Sequence, residues 1–115
     1  MPIVFDGMSN DMRIAREEIF GPVVSIIAFD SEEEALRLAN ATPYGLSGSV
    51  WSRDIGKALR TAKGLQSGVI SVNSNSSVHT EAPFGGYKMS GIGRELGMAA
   101  LDLYTETKNI YIDLS

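Results

Sequence analysis

The sequence contains no cysteine, so the chain forms no disulfide and offers neither a thiolate nucleophile nor a sulfur ligand. Histidine is confined to His79, which leaves no second imidazole with which to build a metal site. Basic residues are few and scattered: ten Lys and Arg against fourteen Asp and Glu give a net charge of -4, without the basic patch of a nucleic-acid surface. No apolar run approaches the ~20 residues that span a bilayer. The N-terminus has no basic segment followed by an apolar run, the mark of a signal peptide. These absences predict a cytoplasmic chain with no membrane, nucleic-acid or metal partner.

What is present is an ordinary balance for a globular protein, 43% hydrophobic and 21% charged residues in 115, enough for one domain with one core. Ile3 to Phe5 reads as a short strand, and Met12 to Glu18 as a helical turn ended by Gly21-Pro22. Val23 to Phe29 is almost continuously apolar and β-branched, as in a strand buried on both faces. Ser31 stands three residues before Glu34, the spacing of a capping box, and opens a helix whose buried stripe is Ala35, Leu36, Leu38 and Ala39. Glu32 to Glu34 reads as a solvated first turn favoured by the helix dipole rather than as an acidic binding patch. After the break at Thr42-Pro43-Tyr44-Gly45, Leu46 to Trp51 reads as a strand, Asp54 as the N-cap of a second helix, and Gly68 to Asn73 as a third strand. Ile55, Ala58, Leu59, Ala62 and Leu65 recur at helical spacing on that second helix. Strand and helix alternate, which predicts an α/β fold: a three-stranded parallel open sheet with right-handed crossover helices.

From Ser74 the pattern changes. Ser74 to Ala82 is a polar loop, and Pro83 to Gly93 is glycine-rich. Gly91, Gly93 and Gly97 give G-x-G-x-x-x-G with no strand leading into them, which is not the dinucleotide fingerprint. Lys88 follows Tyr87 and is separated from Ser90 by Met89, which is not a P-loop. A tight loop with glycines at positive φ is the expectation. Leu96, Ala99, Ala100, Leu103 and Tyr104 then mark a final helix, and Ile110 to Leu114 alternates as a terminal strand would. An uncovered strand edge tends to find a partner in another chain.

Two segments together resemble the aldehyde dehydrogenase superfamily: REEIFGPV, from Arg16 to Val23, and EAPFGGYKMSGIGRELG, from Glu81 to Gly97. NATPYGLSGSVWSRD and SGVISVN match the family's wording between them, so the resemblance covers about Pro2 to Asp113. It implies the last part of a catalytic domain over residues 1–115, with 108–115 as an oligomerisation strand. It likens Glu18 to the glutamate that receives the ribose hydroxyls of the nicotinamide nucleoside, and one carboxylate can accept two vicinal hydroxyls through charge-assisted bonds. Phe20 resembles the aromatic that packs near the nicotinamide ring. Phe84 resembles a residue lining the aldehyde tunnel, and Val78 occupies a tunnel-lining position in a small, polar loop that suits something other than a large apolar aldehyde. His79 reads as a surface histidine. Arg94 and Glu106 resemble a charged pair near the subunit interface, expected to meet between subunits.

The family reaction needs a thiolate to attack the aldehyde and a glutamate to activate water. This chain has no cysteine, and neither the general-base motif nor the strand-turn-helix cofactor domain is found in it. No catalytic residue is therefore assigned, NAD or NADP is expected only in the complete enzyme, and none is expected on this chain alone. On the resemblance, Met1 falls where a family member is in mid-domain, which suggests a truncated frame, a split gene or a fragment. Three functions compete: an oxidoreductase fragment active only with the upstream part, a non-catalytic oligomerisation module, and a small independent binding domain. A dimer or higher oligomer is expected.

Overall fold

Ile3–Phe5 (β1) pairs in parallel with Val23–Ser25 (β2), Ile3 opposite Val23. The computed structural model describes all of residues 1–115. Between these strands the predicted helix is reduced to one turn, Arg13–Arg16 (α1). Met12 gives it no side-chain cap and Glu17 is already extended, so neither end can lengthen.

Glu32–Asn40 (α2) forms where its caps predict. Ser31 Oγ accepts from the Glu34 N–H at 3.1 Å, and the Glu34 carboxylate accepts in return from the Asp30 N–H at 2.9 Å. The reciprocal bond thus lands one residue before the cap rather than on the cap itself. Tyr44–Gly45 (β3) follows, then Ser47–Val50 (β4), Ile55–Gly64 (α3) and Val69–Val72 (β5). Asp54 Oδ1 accepts from the Lys57 N–H at 3.0 Å, capping α3. That bond holds the Asp54 carboxyl below its ordinary range. β4 and β5 run parallel in register from Ser47–Val69 to Val50–Val72, and Ala58 of α3 is fully buried against them. Asn40 ties the two helix ends together, donating to Gly64 O at 2.9 Å and accepting from the Gln66 N–H at 2.8 Å.

The expected three-stranded parallel sheet is not formed. The strands make three separate two-stranded ladders, β1 with β2, β4 with β5, and β3 with Tyr87–Lys88 (β6), the last antiparallel. The predicted strand Val23 to Phe29 stops at Ser25 because its ladder faces β1, and from Ile27 no backbone partner continues it. The expected final helix is also cut back, to a 3-10 turn at Met98–Ala100 and one α turn at Leu101–Tyr104 (α4). Leu96 and Gly97 sit at φ 60° and 58°, a left-handed pair that helical backbone cannot pass through. The predicted terminal strand Ile110 to Leu114 has no ladder, since no strand of the chain lies beside it.

The core is thin: four of 115 residues are buried, Gly45, Ala58, Ser71 and Gly86. The accessible surface is 9159 Å² for 12.4 kDa, where a closed monomer of that mass exposes about 6100 Å². The radius of gyration is 19.3 Å, against about 13 Å for a compact domain of this length. The apolar side chains are gathered but not enclosed.

Candidate functional site

Residues 17–22 form a loop clamped at both ends. The Glu17 N–H closes α1 on Arg13 O at 3.0 Å, while Pro22 O accepts from the Ile3 N–H at 2.9 Å at the head of the β1–β2 ladder. Between these anchors Phe20 adopts φ 49° with its side chain 93% exposed. Left-handed backbone costs a non-glycine residue about 1–2 kcal/mol, and an exposed phenyl ring gains nothing from burial. Strain of this kind, held by its surroundings, points to use.

Glu18 and Phe20 line one cleft of about 300 Å³, with Val23 and Ser25 at its back. Glu18 also faces a second cleft of about 580 Å³, whose wall includes Tyr44, Ser47, Ser67, Met89 and Ser90. The structure therefore brings the two predicted cofactor residues together, and it sets the glycine-rich loop across from the carboxylate.

That loop is closed by Phe84 and Glu95, which exchange two backbone hydrogen bonds of 2.7 Å. Inside it, Arg94 Nη1 donates to Gly86 O at 3.0 Å and Gly93 O at 2.6 Å, and its guanidinium lies 5.4 Å from the Tyr87 ring centre. Gly91 and Gly93 have φ of 121° and 80°, as the turn chemistry predicts. Gly68 and Gly85 touch so closely that a Cβ on Gly68 would overlap the Gly85 carbonyl. Lys88, at φ 53°, extends its Nζ to Asn40 O at 2.9 Å and Thr42 O at 3.1 Å, placing a cation on the last carbonyl of α2 and on the turn that follows it. Ser90 Oγ accepts from the Gly45 N–H at 3.0 Å, and the Met89 N–H donates to Pro43 O at 2.9 Å. The segment is thus a clasp on the α2–β3 junction, and its two cations, Lys88 and Arg94, are spent on carbonyls of its own chain.

The other predicted residues are not gathered here. Val78 is exposed and Phe84 half-buried, and neither lines the clefts that hold Glu18. His79 is exposed. Glu106 is exposed and forms no ion pair with Arg94; the ion pairs are Arg13–Glu17, Arg37–Glu34 and Arg60–Glu32. No group of three or more His, Asp or Glu side chains is placed to hold a metal ion. Sequence reasoning missed Lys88, Asn40 and Ser90 as the residues that fix the cleft wall. Their partners lie 24 to 48 positions away, beyond any local signal.

The chain is similar in sequence and backbone to known proteins. Residues 1–110 match the family model described as the aldehyde dehydrogenase family. The betaine aldehyde dehydrogenase of Bacillus subtilis is 50% identical over 110 residues, which are 96% of this chain and 22% of that protein. Retinaldehyde dehydrogenase 3 of Homo sapiens is 50% identical over 113 residues, 98% of this chain and 22% of that protein. Among solved structures, betaine aldehyde dehydrogenase from Staphylococcus aureus in complex with NAD+ superimposes with a TM-score of 0.85 at 50% identity, over 88% of this chain and 20% of that one. The chain spans about a fifth of the length of the relatives it matches.

Proposed function

The chain belongs to the aldehyde dehydrogenase family, and from that premise we propose that it is one part of an NAD-dependent aldehyde dehydrogenase, competent only with further polypeptide. The observation that carries this reading is the shared cleft of Glu18 and Phe20, with Phe20 held in left-handed backbone and turned outward. A carboxylate beside an aromatic face suits the nicotinamide riboside end of a dinucleotide: two hydroxyls for the acceptor, one flat ring for the phenyl. The glycine-rich loop is not assigned to the adenylate half, since its Lys88 and Ser90 are committed to the α2–β3 junction.

NAD, when bound, would take up the hydride that leaves the substrate carbon. Glu18 would orient the ribose and Phe20 would limit where the ring sits. The thiolate would come from other polypeptide, because this chain has no cysteine, and the base that activates water would come with it, since the family's general-base motif is not found here. Val78, in the loop from Ser74 to Ala82 that has no aromatic side chain, and Phe84, just after it, would border the aldehyde's path. Purified chain, alone and mixed with the part of the Bacillus subtilis betaine aldehyde dehydrogenase that it does not match, tests the reading. Betaine-aldehyde-dependent NADH formation is expected in the mixture and not with the chain alone, and Glu18→Gln is expected to raise the NAD KM about tenfold, the loss of one charge-assisted interaction. Turnover by the chain alone would overturn the reading.

A non-catalytic oligomerisation module is the second reading, favoured by the bare apolar tail, where Ile110, Tyr111, Ile112 and Leu114 are all exposed. Pairing of Arg94 with Glu106 across a subunit boundary belongs to it. Co-purification with an intact relative, without any NADH formation in the mixture, would select it.

A further inference from the structure

β5 breaks its own pattern once. Val69, Ile70 and Val72 are β-branched and half-buried, yet the most buried position of the strand carries Ser71, at 8% exposure the only buried polar side chain of the chain. Valine would suit that position better in strand preference and in burial, and a buried hydroxyl is costly unless it is bonded. The Ser71 hydroxyl donates to Ser76 O at 2.7 Å, five residues on. A polar group set against local preference directs attention to what it holds.

Ser71 holds the loop that follows β5. Asn73, at φ 52°, turns the chain out of the strand and binds Ser52 through both ends of its amide, at 2.9 and 3.0 Å. Ser74 Oγ accepts from the Ser76 N–H at 3.0 Å, a short side-chain turn that ends at the residue Ser71 binds. The next tie to another part of the chain is at Thr80, whose carbonyl accepts from the Gly97 N–H at 3.0 Å. Val78 lies midway, two residues from each anchor, and neither Ser77 nor Val78 forms a backbone hydrogen bond. Without the Ser71 bond the untied span would grow from residues 77–79 to 74–79, and a longer untied span has more conformations to lose. Ser76 and Val78 are exposed, so the bond encloses no core, and its loss would free the loop rather than unfold the β4–β5 pair.

We propose that Ser71 is a positioning residue for the substrate path: by fixing Ser76 from within β5 it fixes where Val78 stands, without itself touching the aldehyde. The inference rests on the reading of Val78 as bordering that path, and it names the side chain that sets the border. A loop residue defines a path only as sharply as its backbone is held, and a support on a strand holds it better than the loop holds itself.

The test has two readouts. In the chain itself, Ser71→Ala is expected to lower the NMR order parameters of the Ser77, Val78 and His79 amides toward the flexible range, below about 0.6. The fluorescence of the sole tryptophan, Trp51, checks in the same sample that the fold is kept. The second readout uses enzyme reassembled from this chain and the part of the Bacillus subtilis betaine aldehyde dehydrogenase that it does not match. There Ser71→Ala is expected to raise the aldehyde KM about fivefold, the net worth of one hydrogen bond, and to leave the NAD KM within about twofold. Ser71→Thr keeps the hydroxyl and is expected to recover the aldehyde KM. Ser49→Ala, at the residue paired with Ser71 on β4, is expected to change neither KM. An unchanged loop in Ser71→Ala, an equal rise of both KM values, or no recovery by Ser71→Thr would each overturn the inference. A freed loop in Ser71→Ala together with no NADH formation by the unsubstituted mixture would keep Ser71 as the loop's anchor and overturn the aldehyde reading on which its role rests; NADH formation with an unmoved loop would do the reverse.

Discussion

The β4–α3–β5 unit and the segment from Leu101 to Ser115 both carry regular apolar patterns, yet only the first is tied down. In the unit, a four-pair ladder, the Asp54 cap and the burial of Ala58 and Ser71 reinforce one another. Asn73 extends the ladder by one step, its amide accepting from the Ser52 N–H at 2.9 Å and donating to Ser52 O at 3.0 Å. The terminal segment has local bonds only, Thr105 Oγ1 to Leu101 O at 2.8 Å and the Ser115 N–H to Asp113 at 3.0 Å. Its apolar residues Leu101, Leu103, Tyr104, Ile110, Tyr111, Ile112 and Leu114 are all exposed. Alternation and helical spacing are thus permissions rather than causes. They produce an element when an opposing surface lies within the chain, and here that condition separates the two regions.

The largest way to break this contrast is Gly68→Ala. The new Cβ would collide with the Gly85 backbone, separating the head of β5 from the clasp. A loss of about 3 kcal/mol is expected from overpacking against rigid backbone, read as the urea midpoint of Trp51 fluorescence; an unchanged midpoint would show that the unit is not held there. A smaller and pH-limited effect is expected at Asp54. Its carboxyl is lowered by the Lys57 N–H in the folded chain, so its contribution is present above the ordinary carboxylate range and is lost as pH falls through the folded value. Asp54→Asn keeps a capping oxygen but cannot titrate, and is expected to flatten the acid limb of stability against pH. Asp113 is lowered too, by the Ser115 N–H and hydroxyl, but that bond joins residues two apart in a segment packed on nothing. The same substitution at Asp113 should leave the acid limb as it was, and a change there would show that the tail is docked. The smallest effect is expected from ending the chain after Tyr104, which should move the urea midpoint by less than about 0.5 kcal/mol equivalent.

Much of the fold was legible where its cause is local. Ser31 and Asp54 start the two longer helices because a side-chain oxygen reaches an amide three residues on, and the β5 strand follows from its β-branched run of Val69, Ile70 and Val72. Glu18 and Phe20 were singled out by resemblance rather than by spacing, and the structure sets both on one cleft. The clasp was only half legible. Its glycines announced a turn, but nothing near Lys88 in sequence announced that its ammonium would cap a helix that ends 48 residues earlier.

The sequence by itself determined the absence of a sulfur nucleophile, the helix starts, the turn positions and the family. Tertiary structure alone decided that β2 would ladder with β1 and leave a cleft before β4, that Lys88 and Ser90 would fix the wall facing Glu18, and that the tail would stay unpaired. The physical reason is common to all three. A strand edge, a helix end and an apolar face each state what they need, and only the three-dimensional arrangement states whether the chain itself supplies it.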